Sequence, residues 1–214
     1  MDGVLYDSMS NHAHSWVESF KAVGIDFPAY DAYLNEGRTG NSTIELAFEQ
    51  YGNRKATKED IEKIYKHKTN LMLKAPSPEI MPEMQNILQQ TMANGYKVII
   101  VTGSKQPSLI TRLKNDFNIQ KQNIVSGFDV INGKPDPEPY LKALKKANCD
   151  ASQALVIENA PMGVKSAKAA NITTIAVNTG ILKPEILSDA GADIILDNTQ
   201  QLAKEWNIII KHQE

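Results

Sequence analysis

Four short segments of the 214-residue sequence combine acids, hydroxyls or a lysine with glycine or proline. In chain order they are "DGVLYDS", "VIIVTGS", "GKPDPEPY" and "VIENAPMG". A carboxylate can move protons, hydroxyls in a glycine turn can hold phosphate oxygens, and a lysine can neutralise an anion. A carboxylate beside a carboxamide offers the hard oxygen ligands that Mg²⁺ prefers. Together, these residue types suit the chemistry of phosphoryl groups.

Two of the segments offer groups that bind anions. Thr102 and Ser104 flank Gly103 after the apolar run "VIIV", where hydroxyls and backbone N–H groups can grip phosphate oxygens. Lys134 stands between a glycine and a proline, which hold it at a defined place. Taken alone, such a segment is more often a plain turn or a solvated lysine, so neither decides the matter by itself.

The other two segments offer carboxylates. Glu158 and Asn159 follow the run "ALVI" and could bind Mg²⁺, although Asn159 could also cap the helix expected after it. Asp2 precedes a glycine that allows close backbone approach, and we interpret Asp7 with Ser8 as the cap of the first helix.

The residues between these segments show two patterns. Over residues 10–77 apolar side chains recur at helical spacing, and no strand pattern interrupts them. From residue 78 onward amphipathic helices alternate with short β-rich apolar runs, which predicts a parallel sheet covered by helices. Ligands of such sheets bind outside the carboxyl ends of the strands, so the polar residues after each run are the candidate site.

Taken in this order, the four segments resemble the motifs of the haloacid dehalogenase-like hydrolases. The similarity is to the β-phosphoglucomutase-like subgroup, whose helical cap is inserted after the first motif, and it covers essentially the whole chain. It implies an α/β fold with a Rossmann-like parallel sheet core at residues 1–9 and 78–214, and an all-helical cap at residues 10–77.

The first motif of that family is Asp-x-Asp-Gly, and the sequence begins inside it. The resemblance makes Asp2 the general acid and base, and places the nucleophilic Asp directly before Met1, at the end of a central strand. We therefore expect an N-terminally truncated form of a longer protein, with an apolar slot between two open strand edges. On this expectation the chain as given turns over negligibly. If Met1 is the true start, a non-catalytic binding protein is the alternative.

For the complete protein the resemblance implies a Mg²⁺-dependent phosphohydrolase that forms an aspartyl-phosphate. The Thr and Ser of the second motif would grip the phosphoryl oxygens, and Lys134 would screen negative charge. Mg²⁺ would be held by the backbone carbonyl of Asp2 together with Glu158 or Asn159. Many members have Asp in place of Asn159, which leaves Glu158 as the main acidic ligand.

The cap is expected to choose the leaving group through the loop "LNEGRTGNST". Arg38 is the expected anion clamp. Glu36 suits a substrate that brings Mg²⁺, such as Mg-pyrophosphate, or one that offers sugar hydroxyls, but it is also compatible with a solvated loop acid. The resemblance places His12 at the cap hinge, near Asp2. Lys68 shares a stripe with apolar residues, which indicates that it faces the cleft or packs its stem on the cap core.

Composition and charge narrow the choice of partners. The formal net charge of −2, without a basic block, argues against nucleic acid, and no apolar run is long enough for a membrane span. Cys149 is the lone cysteine, which favours a reducing cytoplasm. We expect a monomer that acts on a small phosphorylated metabolite or pyrophosphate. A phosphomutase of the β-phosphoglucomutase type is the alternative, because the motifs do not decide whether water or a sugar hydroxyl accepts the phosphoryl group.

Overall fold

The computed structural model describes residues 1–105 and 107–211, in which helices and strands follow the α/β order expected from the sequence. The helices are α1 Met9–Lys21, α2 Ala29–Leu34, α3 Gly40–Tyr51, α4 Lys58–Lys74, α5 Met84–Ala93, α6 Pro107–Phe117, α7 Glu138–Ala147, α8 Pro161–Ala169, α9 Pro184–Asp189 and α10 Thr199–Lys211. The strands are β1 Ile100–Val101, β2 Ile124–Val125, β3 Leu155–Glu158, β4 Thr173–Val177 and β5 Ile194–Leu196. Within the described residues, no helix combines the length and the apolar character that crossing a membrane requires.

Helices α1 to α4 pack around an apolar cluster of their own. Phe20 of α1 and Ile44 of α3 are fully buried in it, and Ile64 of α4 closes it from the other side. The start of α4 has a capping box, in which Thr57 and Asp60 exchange side-chain and backbone hydrogen bonds. The division of the chain at residues 10 and 77 stays a prediction.

The strands lie in two parallel sheets, as the apolar runs predict. One sheet pairs β1 with β2, and Ile100 lies opposite Ile124. The other has the order β3-β4-β5, with Ile157 opposite Ile175. All these strand pairs are parallel, so the carboxyl ends within each sheet point the same way.

An apolar slot lies between the two sheets. In the described part of the chain no strand pairs β1 with β3, so each of these two strands is hydrogen-bonded on one edge only. The space has a volume of about 390 Å³ and is lined by the Val4–Leu5 loop, β1, β3, α5 and α10. It is larger than the roughly 150 Å³ cavities left by single truncations in well-packed cores. A slot with two open strand edges is the feature that the sequence led us to expect.

The N-terminal residues form a compact loop rather than a strand. The carbonyl of Met1 accepts backbone N–H bonds from Val4 and Leu5, and the amide of Asp7 donates to the carbonyl of Glu79. Ser8 occupies the N-cap position of α1 but makes no side-chain cap bond, and Asp7 is exposed. The expected side-chain cap is therefore wrong, because the Ser8 hydroxyl has another partner.

Candidate active site

The N-terminal loop lies against the carboxyl ends of β3 and β4. Gly3 has a φ of +69°, which favours glycine, and a Cβ added to it would lie 1.9 Å from the Nδ2 atom of Asn159. The Thr179 hydroxyl donates to the Gly3 carbonyl at 2.5 Å. Asn159 therefore packs on this loop and does not cap the next helix, whose N-cap position is Ala160.

Asp2 is buried and held by two side chains of the first helical segment. The Ser8 hydroxyl donates to Asp2 Oδ1 at 2.6 Å, and His12 Nε2 lies 3.4 Å from the same oxygen. Burial by itself would raise the pKa of the Asp2 carboxyl. The charges of His12 and the Met1 amino group, with the hydrogen bonds from His12 and Ser8, outweigh burial and hold that pKa well below its usual range. Asp2 is therefore a carboxylate in this form and can accept a proton.

His12 also contacts a buried lysine from the far end of the cap. Its Nδ1 atom lies 3.3 Å from Lys68 Nζ, which stands 5.2 Å from the centre of the Trp16 ring. His12 therefore lies between Asp2 on its Nε2 side and Lys68 on its Nδ1 side. Burial lowers the pKa of Lys68, and the carboxylates of Glu36 and Asp2 partly counteract this. The cap cation and Glu36 thus belong to the same charge cluster as Asp2.

Lys134 and Glu158 form a buried ion pair beneath the loop. Lys134 Nζ donates to Glu158 Oε1, and the two residues are 5% and 4% exposed. Burial alone would raise the pKa of the Glu158 carboxyl, but the charge and hydrogen bond of Lys134 contribute to holding it below its ordinary value. A Cβ at Gly163 would lie 2.1 Å from the Glu158 carboxyl carbon, so this glycine makes room for the carboxylate.

The Thr-Gly-Ser turn follows β1 and meets the cap loop. The Thr102 hydroxyl accepts from the Ser104 amide at 3.2 Å, and the Ser104 carbonyl accepts from Gly127. A Cβ at Gly103 would lie 2.9 Å from the carbonyl oxygens of both Gly37 and Arg38. The cap loop therefore lies directly on the second motif.

The same loop contacts the third motif, since a Cβ at Gly37 would lie 3.0 Å from Lys134 Cδ. The Arg38 side chain turns to the cap, where Nε donates to Asn35 at 3.0 Å and Nη1 to Ser42 at 3.2 Å. It lines a cleft of about 620 Å³ at the seam between cap and core, together with Lys134. Arg38 therefore lies at the rim of the site, whereas Glu36 belongs to the charge cluster of Lys68 and Asp2.

Residues of the first, third and fourth motifs gather at the start of the chain, where Met1 and Glu158 line the slot and Lys134 pairs with Glu158. Burial lowers the pKa of the Met1 amino group, the charges of Glu158 and Asp2 act in the opposite direction, and Lys134 adds to the lowering. Asp2, Lys134 and Glu158 therefore share one neighbourhood, although they come from three distant parts of the chain. Thr102 is linked to it through Gly103, the cap loop and Lys134.

The oxygen donors around Glu158 are of the type that Mg²⁺ binds, but they are too few to complete a metal site. The Glu158 carboxylate, the Asn159 amide and the backbone carbonyl of Asp2 are hard ligands of the kind that Mg²⁺ takes. Over residues 1–105 and 107–211, no group of three or more His, Cys, Asp or Glu side chains is placed to hold a metal. A metal at this point therefore needs backbone and amide ligands and a further carboxylate.

Two hydroxyls at the site were missed from the sequence. Ser8 bonds Asp2, and Tyr140 OH donates to Glu158 Oε1 at 2.7 Å. Tyr140 lies in the quoted segment "GKPDPEPY", but neither periodicity nor spacing distinguishes a core tyrosine from one that bonds a carboxylate. The one sequence signal for Tyr140 was its place six positions after Lys134, within the same segment.

A model of the haloacid dehalogenase-like hydrolase family matches residues 1–177. The chain belongs to this family. The fold is shared with a solved structure described as a "Putative beta-phosphoglucomutase from Bacteroides vulgatus", with a TM-score of 0.96 and 42% identity, over 100% of this chain and 88% of that one. The sequence and structural comparisons agree with the β-phosphoglucomutase-like subgroup predicted from the motifs.

Curated relatives are more distant. A "CBBY-like protein" of Arabidopsis thaliana is 28% identical over 209 residues, which are 89% of this chain and 65% of the relative. A "Putative pyrophosphatase PpaX" of Caldanaerobacter subterraneus is 29% identical over 133 residues, which are 59% of this chain and 58% of the relative. The chain thus spans less than two thirds of the length of both relatives.

Proposed function

We propose that this protein is a Mg²⁺-dependent phosphohydrolase that transfers the phosphoryl group of a small phosphate ester, or of pyrophosphate, first to an aspartate and then to water. The observation that carries the proposal is the packing of the Asp2–Gly3 loop on Asn159, beside the Lys134–Glu158 ion pair at the carboxyl end of a parallel strand. This is the edge of a parallel sheet where ligands bind.

The attacking carboxylate in this proposal belongs to an aspartate directly upstream of Met1, on a strand that fills the slot. Two observations support it. The Met1 nitrogen is buried beside Glu158 and Asp2, so a residue joined to it enters the same cluster. The walls of the slot are the open edges of β1 and β3, and each edge has backbone groups for one more strand.

In the first half of the reaction, the upstream carboxylate forms a bond to phosphorus while the bond to the leaving oxygen breaks. The approach of an anionic phosphoryl group raises the pKa of Asp2, which takes up a proton from solvent and then gives that proton to the leaving oxygen. In the second half, Asp2 takes a proton from water as the water attacks phosphorus. Phosphate leaves, and the upstream carboxylate is restored.

The other residues position and neutralise the transferring group. Thr102 and Ser104 offer hydroxyl and backbone donors to the phosphoryl oxygens, and Lys134 supplies a positive charge. Glu158, Asn159 and the Asp2 carbonyl would hold Mg²⁺, which when bound supplies charge neutralisation for the phosphoryl group. His12 orients Asp2 from the cap, which makes proton transfer depend on cap closure.

Pyrophosphate is the specific substrate that we propose. Glu36 directly precedes Gly37, whose backbone lies against Gly103 and the Lys134 side chain, so Glu36 lies beside the place of an anionic leaving group. A carboxylate there repels a bare anion but suits one that carries Mg²⁺. The pyrophosphatase name of the Caldanaerobacter relative supports the same substrate.

The test is a panel of phosphate-release assays on the extended protein, meaning this chain with its encoded upstream residues. We expect release from pyrophosphate that requires Mg²⁺ and is abolished in Asp2→Asn. Glu36→Gln is expected to lower turnover of pyrophosphate more than that of simple phosphate esters. Glu45→Gln, in the outer seam cleft, is the matched control. Absence of phosphate release from every substrate would refute the proposal.

A phosphomutase is the second candidate, because the 42% identical structure is described as a β-phosphoglucomutase. The same residues would then return the phosphoryl group to a sugar hydroxyl instead of water. Isomerisation of β-glucose 1-phosphate, followed by ³¹P NMR beside pyrophosphate hydrolysis, separates the two. Isomerisation that outpaces hydrolysis would favour the mutase.

A further inference from the structure

Tyr140 is buried beside the Lys134–Glu158 ion pair, which joins the third and fourth motifs. It lies in the first turns of α7 and is 5% exposed. Its hydroxyl donates to Glu158 Oε1 at 2.7 Å, the same oxygen that accepts from Lys134. Lys134 Nζ also lies 5.1 Å from the centre of the Tyr140 ring.

The Glu158 carboxylate is fully occupied by these contacts. Its Oε1 atom accepts from Lys134 and Tyr140, while Oε2 accepts from the amides of Asn159 at 3.1 Å and Ala160 at 3.4 Å. A carboxylate has about four acceptor positions, so a metal can bind only where one donor withdraws.

Lys134 is the donor that can withdraw. The two amides are fixed in the backbone after β3, and the tyrosine ring is packed in the apolar cluster between β1, β3 and α7. Lys134 instead ends a flexible stem, and its charge is the one that the phosphoryl group attracts. When it turns to that group, Tyr140 is the side-chain donor that stays on Oε1 among residues 1–105 and 107–211.

We propose that Tyr140 is a positioning residue that holds Glu158 in its ligand orientation while Lys134 moves from the carboxylate to the phosphoryl group. The inference rests on the proposed function, because it takes Glu158 as a Mg²⁺ ligand. A neutral hydroxyl suits this task, since it leaves the carboxylate charged for the metal and does not compete for the phosphate.

The test compares Tyr140→Phe with the unchanged extended protein. Mn²⁺, followed by the loss of its free-ion EPR signal at one fixed low concentration of inorganic phosphate, measures metal affinity without turnover, and the phosphate gives Lys134 its anionic partner. We expect the Mn²⁺ dissociation constant to rise about tenfold or more, the usual result of removing a partner of a metal ligand. The Mg²⁺ concentration for half-maximal activity is expected to rise equally, while activity at saturating Mg²⁺ largely recovers.

Tyr6→Phe is the matched control, because it removes a tyrosine hydroxyl that donates to a different carboxylate. Tyr6 is 1% exposed, and its hydroxyl donates to Asp116 Oδ2 at 2.9 Å in the apolar core. This variant is expected to leave the Mn²⁺ affinity unchanged, even if it lowers the melting temperature.

Each possible result either supports or overturns the positioning role of Tyr140. An unchanged Mn²⁺ affinity in Tyr140→Phe overturns the positioning role, as does activity that is lowered equally at all Mg²⁺ concentrations. Weakened Mn²⁺ binding in Tyr140→Phe alone supports it, and does so even if the extended protein hydrolyses no phosphate, in which case only the proposed function fails. An extended protein that binds no Mn²⁺ overturns both.

Discussion

His12 Nε2 lies 3.4 Å from the Asp2 carboxylate, and this contact joins the first cap helix to the loop at the sheet edge. The opposite ring nitrogen of His12 lies 3.3 Å from Lys68 in the last cap helix. One histidine thus connects the proton-transfer group to both ends of the cap, so the geometry of Asp2 depends on the position of the cap.

Removing this imidazole is expected to impair proton transfer. His12→Ala in the extended protein should lower kcat by roughly 10²-fold, the lower end of what positioned acid–base groups contribute. His12→Gln, whose amide can reach the position of Nε2, should recover part of it. His14 is exposed on the same helix, so His14→Ala is the control. Equal kcat values for the two alanine variants would contradict the role of His12.

Lys68 is expected to lower the free energy of unfolding, because its charged side chain is buried beside the site. Because burial lowers its pKa, the unfolded chain holds the proton more tightly, and the charged lysine costs folding free energy at neutral pH. Lys68→Met should raise the free energy of unfolding by about 1 kcal/mol. The gain should shrink as the pH rises toward 10.5, the ordinary pKa. Urea unfolding measures it, and exposed Lys66→Met should show no such gain.

Asp2 should contribute stability that is lost in acid. Its pKa is lowered in the folded chain, so the unfolded chain binds more protons as the pH falls below about 3.8, and the stabilisation disappears there. Asp2→Asn should therefore lower the free energy of unfolding by about 1–2 kcal/mol at pH 6 and by less at pH 3. The exposed Asp7 supplies the control variant, Asp7→Asn. A loss in Asp2→Asn that does not change with pH would show that packing rather than charge is responsible.

Gly103 is expected to determine how closely the cap approaches the core. An added methyl group would lie 2.9 Å from two backbone oxygens of the cap loop. Backbone atoms cannot relieve such a contact by changing a rotamer, as a side chain can. Gly103→Ala in the extended protein should lower kcat/KM on the order of 10²-fold through a misplaced cap, with little loss of fold stability. In Gly180→Ala the new methyl group meets the Tyr33 ring at 3.2 Å and no backbone atom of the described residues, so kcat/KM should stay near the original value. Similar effects of both substitutions would count against a special role for Gly103.

Local features of the fold were predictable from the sequence, and long-range side-chain partners were not. The capping box of Thr57 and Asp60 was predictable because its two residues are three positions apart. Ser8 was expected to cap α1, and the prediction failed because Asp2 competes for its hydroxyl across the N-terminal loop. Tyr140 was missed for the same reason, since its partner Glu158 is 18 positions away and on another element.

The site residues were easier to find than their contacts. Glu158 ends β3, so the sheet-edge rule could place it at the carboxyl edge of a parallel sheet before any geometry was known, whereas Lys134 lies in the loop between β2 and α7, where that rule does not apply. The direction of the Arg38 side chain could not be predicted in this way, because hydrogen bonds to Asn35 and Ser42 turn its guanidinium toward the rim of the site. Loop side chains follow local partners that no spacing rule predicts.

The most direct test of the central claim uses two extended proteins that differ only in the residue before Met1. One carries Asp there and the other Asn, and both should melt at a higher temperature than the 214-residue chain, because the same upstream strand fills the slot. We predict Mg²⁺-dependent phosphate release from pyrophosphate by the Asp form and none by the Asn form. Equal phosphate release by the two forms, or release by the 214-residue chain at the same rate, would contradict the account.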